Sequence, residues 1–344
     1  MAMQFSHAVG YRGLASIRGQ TLLCTGGNIS LTQDPIMSGG VWGAGYANAA
    51  PIAYAFNYLS LEGSINFEWV QNQGGGTSQM WNVMKEFAFT DRTTASAMKM
   101  QPDGKNGFNG NGWCSSLSFE ASEGAALTGS CNFKGDPGQE DSIVADGEGD
   151  NSATGLGQPA TKGLVGAVLI PYWQTAVYFS RNVEFGADGA HANYDLDPFK
   201  DIINWSCSYN SDLQVLKCCS YGKNLHRDTH TPIGADYILC GEMSGEGSIT
   251  VFALRESGAC AFGASGFHTP KYNLAFVLGG FDVSEENQKG VPKTVLIPNA
   301  LINSGSTSMA TGASYISCDY SFTAMGDGVN GVMLMYDGDL TAKP

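Results

Sequence analysis

Few residue sets in this chain have the types and spacing to do chemistry, and each fails on its context. Gly326-Asp327-Gly328-Val329-Asn330-Gly331 matches the glycine pattern that cradles a dinucleotide pyrophosphate. That pattern works between a strand and a helix, whereas Val332 to Tyr336 reads as a strand and little chain follows for a βαβ unit. Asp146, Glu148 and Asp150 have calcium-loop spacing, but the sixth position is Asn151 where glycine is needed and the twelfth is Gly157 where glutamate is needed. His226 and His230 would share one face of a helix and could hold zinc there. Pro232 and the polar surroundings indicate a loop, and no third ligand is evident. GxSxG, HExxH and GxxxxGK[ST] are absent from the chain. Carboxylate pairs for glycoside hydrolysis exist only as a spacing in space. The many Trp and Tyr side chains could stack sugars, but such residues also fill sandwich cores and oligomer interfaces. The expectation is a protein with no catalytic residue, no cofactor and no metal.

The elements that would position any site carry a clearer signal, because one phrase is written twice. Leu61-Glu62-Gly63-Ser64-Ile65-Asn66-Phe67 recurs as Gly245-Glu246-Gly247-Ser248-Ile249-Thr250-Val251. Both copies alternate apolar and polar residues, the pattern of a half-buried strand. A Pro-Ile step precedes each, Pro51-Ile52 and Pro232-Ile233. A second matched pair follows: Leu127-Thr128-Gly129-Ser130-Cys131-Asn132-Phe133 parallels Ile316-Ser317-Cys318-Asp319-Tyr320-Ser321-Phe322. A repeated β domain suggests self-assembly before it suggests chemistry.

In the first half, a strand is expected from Gln20 to Ile29, then a long loop from Thr32 to Ala50 that carries Trp42 and Tyr46. Loops of that length are usually functional or form contacts. In the strand from Leu61 to Val70, Leu61, Gly63, Ile65, Phe67 and Trp69 share one face, and Glu62, Ser64, Asn66 and Glu68 share the other. After Gly74-Gly75-Gly76, the spacing of Met80, Val83, Met84 and Phe87 predicts a helix with one apolar stripe, with Ser78 as its N-cap. A hairpin follows, with arms Trp113 to Ser122 and Ala125 to Lys134; Leu117 and Phe119 alternate with Ser118 and Glu120. Gly135 to Gly163 is acidic and glycine-rich, a self-repelling linker. The second half repeats the plan with strands in Leu164 to Phe179, Trp205 to Leu216, Ala235 to Leu254, Val291 to Ile302 and Ser314 to Thr323, around a polar loop Tyr221 to Thr231. The division is therefore 1–134, a linker 135–163, and 164–344.

Composition agrees with strands joined by many turns. The chain has 344 residues, 46 of them glycine, with 43% hydrophobic and only 15% charged residues. A net charge of −14 repels phosphate and disfavours ordinary nucleic-acid binding, while suiting a surface that DNA passes without sticking. Met1 to Tyr11 has neither a basic residue nor an apolar core, so no signal peptide is expected. The uncharged stretch Gly163 to Ser180 contains Pro171 and Gln174 and reads as strand, so no membrane insertion is expected. The nine cysteines then read as reduced small hydrophobes. Cys218 and Cys219 fall on opposite faces if extended. Cys114 and Cys131 are equidistant from a turn near Ser122-Glu123-Gly124, which would set them face to face across the hairpin, as a disulfide or as two packed thiols.

Taken with the repeat, these segments resemble the tail tube proteins of tailed bacteriophages. The resemblance rests on the strand Trp205-Ser206-Cys207-Ser208, the following Pro-Ile step, the Gly-Ser-Ile strand, and a closing strand of the Tyr-Ser-Phe-Thr-Ala type, Tyr320 to Ala324, with Gly129-Ser130-Cys131-Asn132-Phe133 in its place in the first half. It implies a mainly β chain of two tandem antiparallel β-sandwich or barrel domains, the first at least with a flanking helix. Many tube subunits hold one such domain; this chain holds two. It further implies rings of six domains, stacked through a long loop into a hollow tube. Two domains per chain then mean a trimer imitating six-fold symmetry, or a hexamer with an outer decorating domain. The lumen candidates are Glu62, Ser64, Asn66, Glu68, Ser118 and Glu120, with Glu246, Ser248, Thr250, Asp319 and Ser321 in the second half. Trp42 and Tyr46 are the inter-ring loop candidates. The implied role is a virion tail structural protein assembled in the host cytoplasm, with sheath, tape measure and baseplate proteins as partners and phage DNA passing the lumen unbound. A tube initiator, terminator or baseplate ring component, a carbohydrate-binding adhesin, and a soluble enzyme with scattered carboxylates are the alternatives.

Overall fold

The computed structural model describes residues 14–22, 24–32, 35–37, 54–56, 60–72, 77–90, 95–101, 107–136, 143–144, 167–180, 197–198, 201–216, 237–252, 272–279, 292–308, 317–326 and 331–337. Its main elements are β1 (Leu14–Ile17), β2 (Cys24–Thr32), β3 (Ser60–Glu68), α1 (Thr77–Lys85), β4 (Ser96–Gln101), β5 (Gly107–Ser122), β6 (Thr128–Asp136), β7 (Thr175–Ser180), β8 (Ile202–Leu216), β9 (Tyr237–Phe252), β10 (Tyr272–Leu278), β11 (Lys293–Ser308), β12 (Ser317–Ala324) and β13 (Leu334–Asp337). The chain is mainly β, and one 16-stranded antiparallel sheet runs through both halves. Its central run is β2-β3-β6-β5-β8-β9-β12-β11.

The two halves carry the same strand order. In the first, β2-β3-β6-β5 continues through the amino-terminal part of β5 to β4 and β1. In the second, β8-β9-β12-β11 continues through the amino-terminal part of β11 to β10 and β7. Register agrees as well as order. Gly63 opposes Phe133 and Ile29, just as Gly247 opposes Phe322 and Cys207. The bulges agree too: Thr25 in β2 and Ile203 in β8 are the extra residues at matching places, as are Ser115 in β5 and Asn303 in β11. A bulge bends its strand and increases local twist. Here each long strand, β5 and β11, leaves the central run beyond its bulge and pairs with a second layer.

The two layers of each half enclose the apolar face. Trp69 stacks flat on Phe119 at 4.9 Å, and Trp81 of α1 meets Trp69 edge-on at 5.5 Å. In the second half Trp205 packs on Phe276 of β10 at 4.7 Å, and its indole N–H donates to Thr175 of β7 at 3.1 Å. Every residue of β10 is buried, as befits a strand covered on both faces.

The helix forms where the apolar spacing places it, and Met80, Met84 and Phe87 are buried while Val83 is half-buried. It begins at Thr77, so Ser78 lies inside its first turn and is not the cap. It widens into a π-helical segment, Glu86–Thr90. Expected strand boundaries shift as well: β11 runs on to Ser308, well past Ile302, and the strand expected from Gln20 to Ile29 is broken into Gln20–Thr21 and β2. Within the acidic stretch 135–163, Ile143–Val144 pair with Phe108 and Gly107 of β5.

Candidate functional site

The side chains that could act together form one polar face of the central run. Antiparallel partners directly opposite each other point to the same side of a sheet, so the pairings assemble this face row by row. One row reads Glu68, Thr128, Glu120, Ser206, Ser248, Ser321 and Ser304 across β3, β6, β5, β8, β9, β12 and β11. The next reads Gly26, Asn66, Ser130, Ser118, Ser208, Glu246 and Thr323. Thr250 and Asp319 pair beside them. The structure therefore brings Glu62, Ser64, Asn66, Glu68, Ser118, Glu120, Glu246, Ser248, Thr250, Asp319 and Ser321 onto a single surface.

That surface is mostly neutral and internally bonded. Hydroxyls join across strands: Ser118 with Ser130 at 2.7 Å, Ser206 with Ser248 at 2.9 Å, and Ser304 with Ser321. Asn132 donates its amide to Ser116 at 2.7 Å, Thr250 donates to the Asp319 carboxylate at 2.7 Å, and Ser64 donates to Asn28 at 3.0 Å. The carboxylates Glu62, Glu68, Glu120, Glu246 and Asp319 outnumber the basic groups. Lys134 lies 3.5 Å from Glu62 and donates to the Leu213 carbonyl at 3.1 Å. A groove of about 410 Å³ opens beside the Ser115 bulge, lined by Asn28, Ser30, Glu62, Ser64, Asn132 and Lys134. Such a face offers hydration and weak negative charge, with no nucleophile or base set apart from its neighbours.

Several of its members escape a reading of the sequence. Thr128, Ser130, Asn132 and Lys134 alternate with Gly129, Cys131 and Phe133, so the two-residue period could have found them. Asn28 and Ser30 likewise alternate with Ile29 and Leu31, whereas Ser304 and Ser306 sit among glycine, serine and threonine where the period carries no contrast.

The rows slant. Crossing from Asn28 through Ser64, Asn132 and Ser116 leads to Asn210, four residues beyond Ser206, the position in β8 that matches Asn28 in β2. Each set of four strands thus advances the register by four residues.

Cys114 and Cys131 are both free thiols, with sulfurs 3.8 Å apart. They do not face each other directly. The turn lies further along the chain, so Cys131 opposes Leu117, and the Ser115 bulge makes up one residue of the offset and sets Cys114 opposite Phe133. The hydrogen bond with Cys114, followed by burial, holds the Cys131 thiol well above its ordinary pKa. Trp42 and Tyr46 lie outside the described residues, as do Cys218, Cys219, His226, His230 and the acidic triplet at 146, 148 and 150. Among the described residues no group of three His, Cys, Asp or Glu side chains could hold a metal, and no helix is long and apolar enough to cross a membrane.

The chain matches no protein-family model and no curated protein. Among solved structures it is similar to a chain of the SPP1 tail tube, at 15% identity over 49% of this chain and 80% of that one, with a TM-score of 0.27. A chain from the virion of a native gene transfer agent aligns at 8% identity over 48% of this chain and 96% of that one, with a TM-score of 0.30. A chain of the anti-feeding prophage tube-terminating cap aligns at 12% identity over 49% and 91%, with a TM-score of 0.30.

Proposed function

We propose that this chain is a structural subunit of a phage tail tube, assembling into stacked rings whose hollow centre conducts DNA. The observation that carries the reading is the junction inside the chain. The last strand of the first four-strand set, β5, pairs antiparallel with the first strand of the second set, β8, from Asn204 opposite Ser122 to Asn210 opposite Ser116. Two sets of the same order and register, read here as an internal duplication, are joined head to tail. A head-to-tail contact that repeats between copies closes a ring or propagates a filament.

The slant of the rows suits ring closure. One residue of stagger per strand, at a rise of about 3.3 Å and a strand spacing of about 4.8 Å, sets a strand tilt of about 35°. Six sets would make a barrel of roughly 24 strands with a backbone diameter of about 45 Å. Both halves present their polar faces on the same continuous sheet, which favours three chains per ring over six chains with an outer decorating half. The apolar face is already covered by the second layers, so the polar face is the one left to line the bore. Its carboxylates and hydroxyls would keep DNA hydrated and repelled. The reading assigns no catalytic residue. It places the protein in the virion tail, with sheath, tape-measure and baseplate proteins as its neighbours.

Electron microscopy of the purified chain at high concentration tests this. Stacked rings or tubes with an open bore and three chains per ring are expected. Assembly that stops at one ring would reassign the chain as an initiator or terminator of the tube. A monomer that never polymerises would overturn the reading and turn attention to glycan binding.

A further inference from the structure

The Ser115 bulge brings two thiols onto one face. In a regular strand Cys114 and Leu117, three residues apart, would point to opposite sides of the sheet. The extra residue restores the parity, so both enter the apolar face, at 6% and 0% exposed. Cys131, also 0% exposed, is the partner of Leu117 on β6, and Phe133, the partner of Cys114, is the next residue on that face. The thiols are therefore diagonal neighbours across the β5–β6 pair, with sulfurs 3.8 Å apart. Packing alone does not call for sulfur here. In the second half the matching places beside the Asn303 bulge are held by Ile302 and Tyr320.

We propose that Cys114 and Cys131 form an oxidisable dithiol, which a peroxide converts in the folded chain to a disulfide that locks β5 to β6. A disulfide places its sulfurs about 2.05 Å apart, so each sulfur need move inward by only about 1 Å. Cys114 is the less buried of the two and reacts first. Its sulfur attacks one peroxide oxygen, the O–O bond breaks, and the departing hydroxyl takes the thiol proton and leaves as water, giving a sulfenic acid. The Cys131 sulfur then displaces the hydroxyl of that sulfenic acid. The S–O bond breaks, the S–S bond forms, and the hydroxyl leaves with the Cys131 proton as a second water. Two thiols are oxidised and one peroxide is reduced to two waters. The hydrogen bond with Cys114, followed by burial, keeps the Cys131 thiol protonated, which suits it to resolve the sulfenic acid and not to attack the oxidant. The groove of about 410 Å³ brings solvent to Ser115 and Asn132, the chain neighbours of the two thiols, so a small oxidant comes close to both. The place of the bond gives it a consequence. β5 pairs with β8 as far as Ser116 and, from Gly112 back, with β4, while it pairs with β6 on both sides of the bulge. A tie from Cys114 to Cys131 fixes β5 where it changes layers and closes a loop over residues 115–130. A reducing medium keeps the pair open and an oxidising one closes it. The inference concerns a single chain and stands apart from the ring reading above.

Hydrogen peroxide in small molar excess over the folded full chain tests this. The treated protein is unfolded in urea with iodoacetamide and digested without reduction. Mass spectrometry should find the 114–131 bridge, with alkylation at both residues lowered by about tenfold or more and restored by dithiothreitol. Cys207, buried opposite Phe119 and Gly247, should remain alkylated. The bridged chain should have an unfolding equilibrium constant about a hundredfold smaller than the reduced chain, the effect of closing a loop of about 15 residues. Cys131→Ala removes the resolving thiol, so Cys114 should stop at the sulfenic acid and be captured by dimedone. Cys114→Ala should leave Cys131 unoxidised. Where a variant fails to fold, the wild-type bridge and its effect on unfolding decide. Thiols at 114 and 131 that both stay alkylated after peroxide, or a dominant bridge from either to another cysteine, overturn the proposal. An oxidised chain no harder to unfold than the reduced one overturns the lock.

Discussion

Phe133 lies over Gly63. The two are cross-strand partners, and a Cβ built on Gly63 would stand 2.4 Å from Phe133 Cζ. The second half repeats the arrangement: a Cβ on Gly247 would stand 2.4 Å from Phe322 Cζ and 2.2 Å from the Ser206 carbonyl oxygen. Glycine is required at both places because an aromatic ring occupies the missing side chain's volume, with no positive φ involved. Overpacking of this kind costs about 1–3 kcal/mol. Gly63→Ala and Gly247→Ala should each lower stability by that amount in urea unfolding. Gly247→Ala should be the worse, because its Cβ would stand 2.2 Å from a backbone carbonyl oxygen, whereas the carbonyl oxygen nearest a Gly63 Cβ, that of Asn28, is 2.8 Å away. Gly26→Ala, where the nearest atom is 3.7 Å away, should change stability by no more than about 0.5 kcal/mol. Equal losses at Gly26 and Gly63 would count against the close-approach argument.

This pair also marks what the sequence displays and what it hides. Glu62-Gly63-Ser64-Ile65 and Glu246-Gly247-Ser248-Ile249 are legible as repeats because a two-residue period with a fixed glycine survives in both. All eleven polar residues singled out from such alternation share one face of the sheet. The β2 and β8 match is illegible: Gly27 stands where Trp205 does and Asn28 where Ser206 does, and only pairing to β3 and β9 reveals the equivalence. Bulges are hidden for the same reason. An extra residue such as Ser115 leaves no trace in composition, yet it sets Cys114 opposite Phe133 where an unbroken register would set it opposite Lys134, and it redirects β5 into a second layer.

The stripe on the helix is legible, but Trp81 is not part of it. Trp81 is 3% exposed and sits against Trp69 and Phe119, at ring separations of 5.5 and 6.2 Å. The apolar surface of α1 is therefore broader than the spacing of Met80, Val83, Met84 and Phe87 implies. Removing a buried aromatic costs about 3–5 kcal/mol, and truncating a buried methionine about 2–5 kcal/mol. Trp81→Ala should thus destabilise at least as much as Met84→Ala, with loss of near-ultraviolet circular dichroism from the edge-on pair of indoles. Asn82→Ala, at a half-buried position, should stay near wild type. A Trp81→Ala variant as stable as wild type would place the indole outside the core.

The buried thiols set a pH dependence. Burial raises Cys24 to about 11, with a smaller opposing effect from the Ala15 backbone, and burial raises Cys207 further still. The unfolded thiols ionise near pH 8.5. Above that pH the unfolded chain has released protons that the folded chain still holds, so stability falls as pH rises. The contribution is fully present below about pH 8.5. For Cys24 its loss continues up to about pH 11 and amounts to about 3 kcal/mol. Urea midpoints measured from pH 7 to 10.5 should decline above pH 8.5. Cys24→Ser should flatten part of that decline. An unchanged slope in the variant would assign the alkaline loss to other groups.

Glu62 and Glu246 occupy matching places on the polar face, one in each half. Glu62 is largely exposed and its ion pair with Lys134 at 3.5 Å is partly solvated, so losing the pair should cost under about 1 kcal/mol. Reversing both to lysine should leave rings and tubes intact, because Glu62 lies on β3 and Glu246 on β9, neither of them an end strand of the central run. The consequence would appear in transport. Lysines lining a bore bind phosphate by releasing its counterions, and that attraction weakens steeply as salt is added. Assembled Glu62→Lys/Glu246→Lys tubes should therefore hold DNA at low salt and release it at high salt, and particles carrying them should eject DNA more slowly than the parent. Substituting Glu86, which pairs with Arg18 on α1's side of the molecule, should alter neither property. Double-variant particles that assemble normally and infect at the parental rate would show that this face does not meet the DNA, whatever else the tube reading retains.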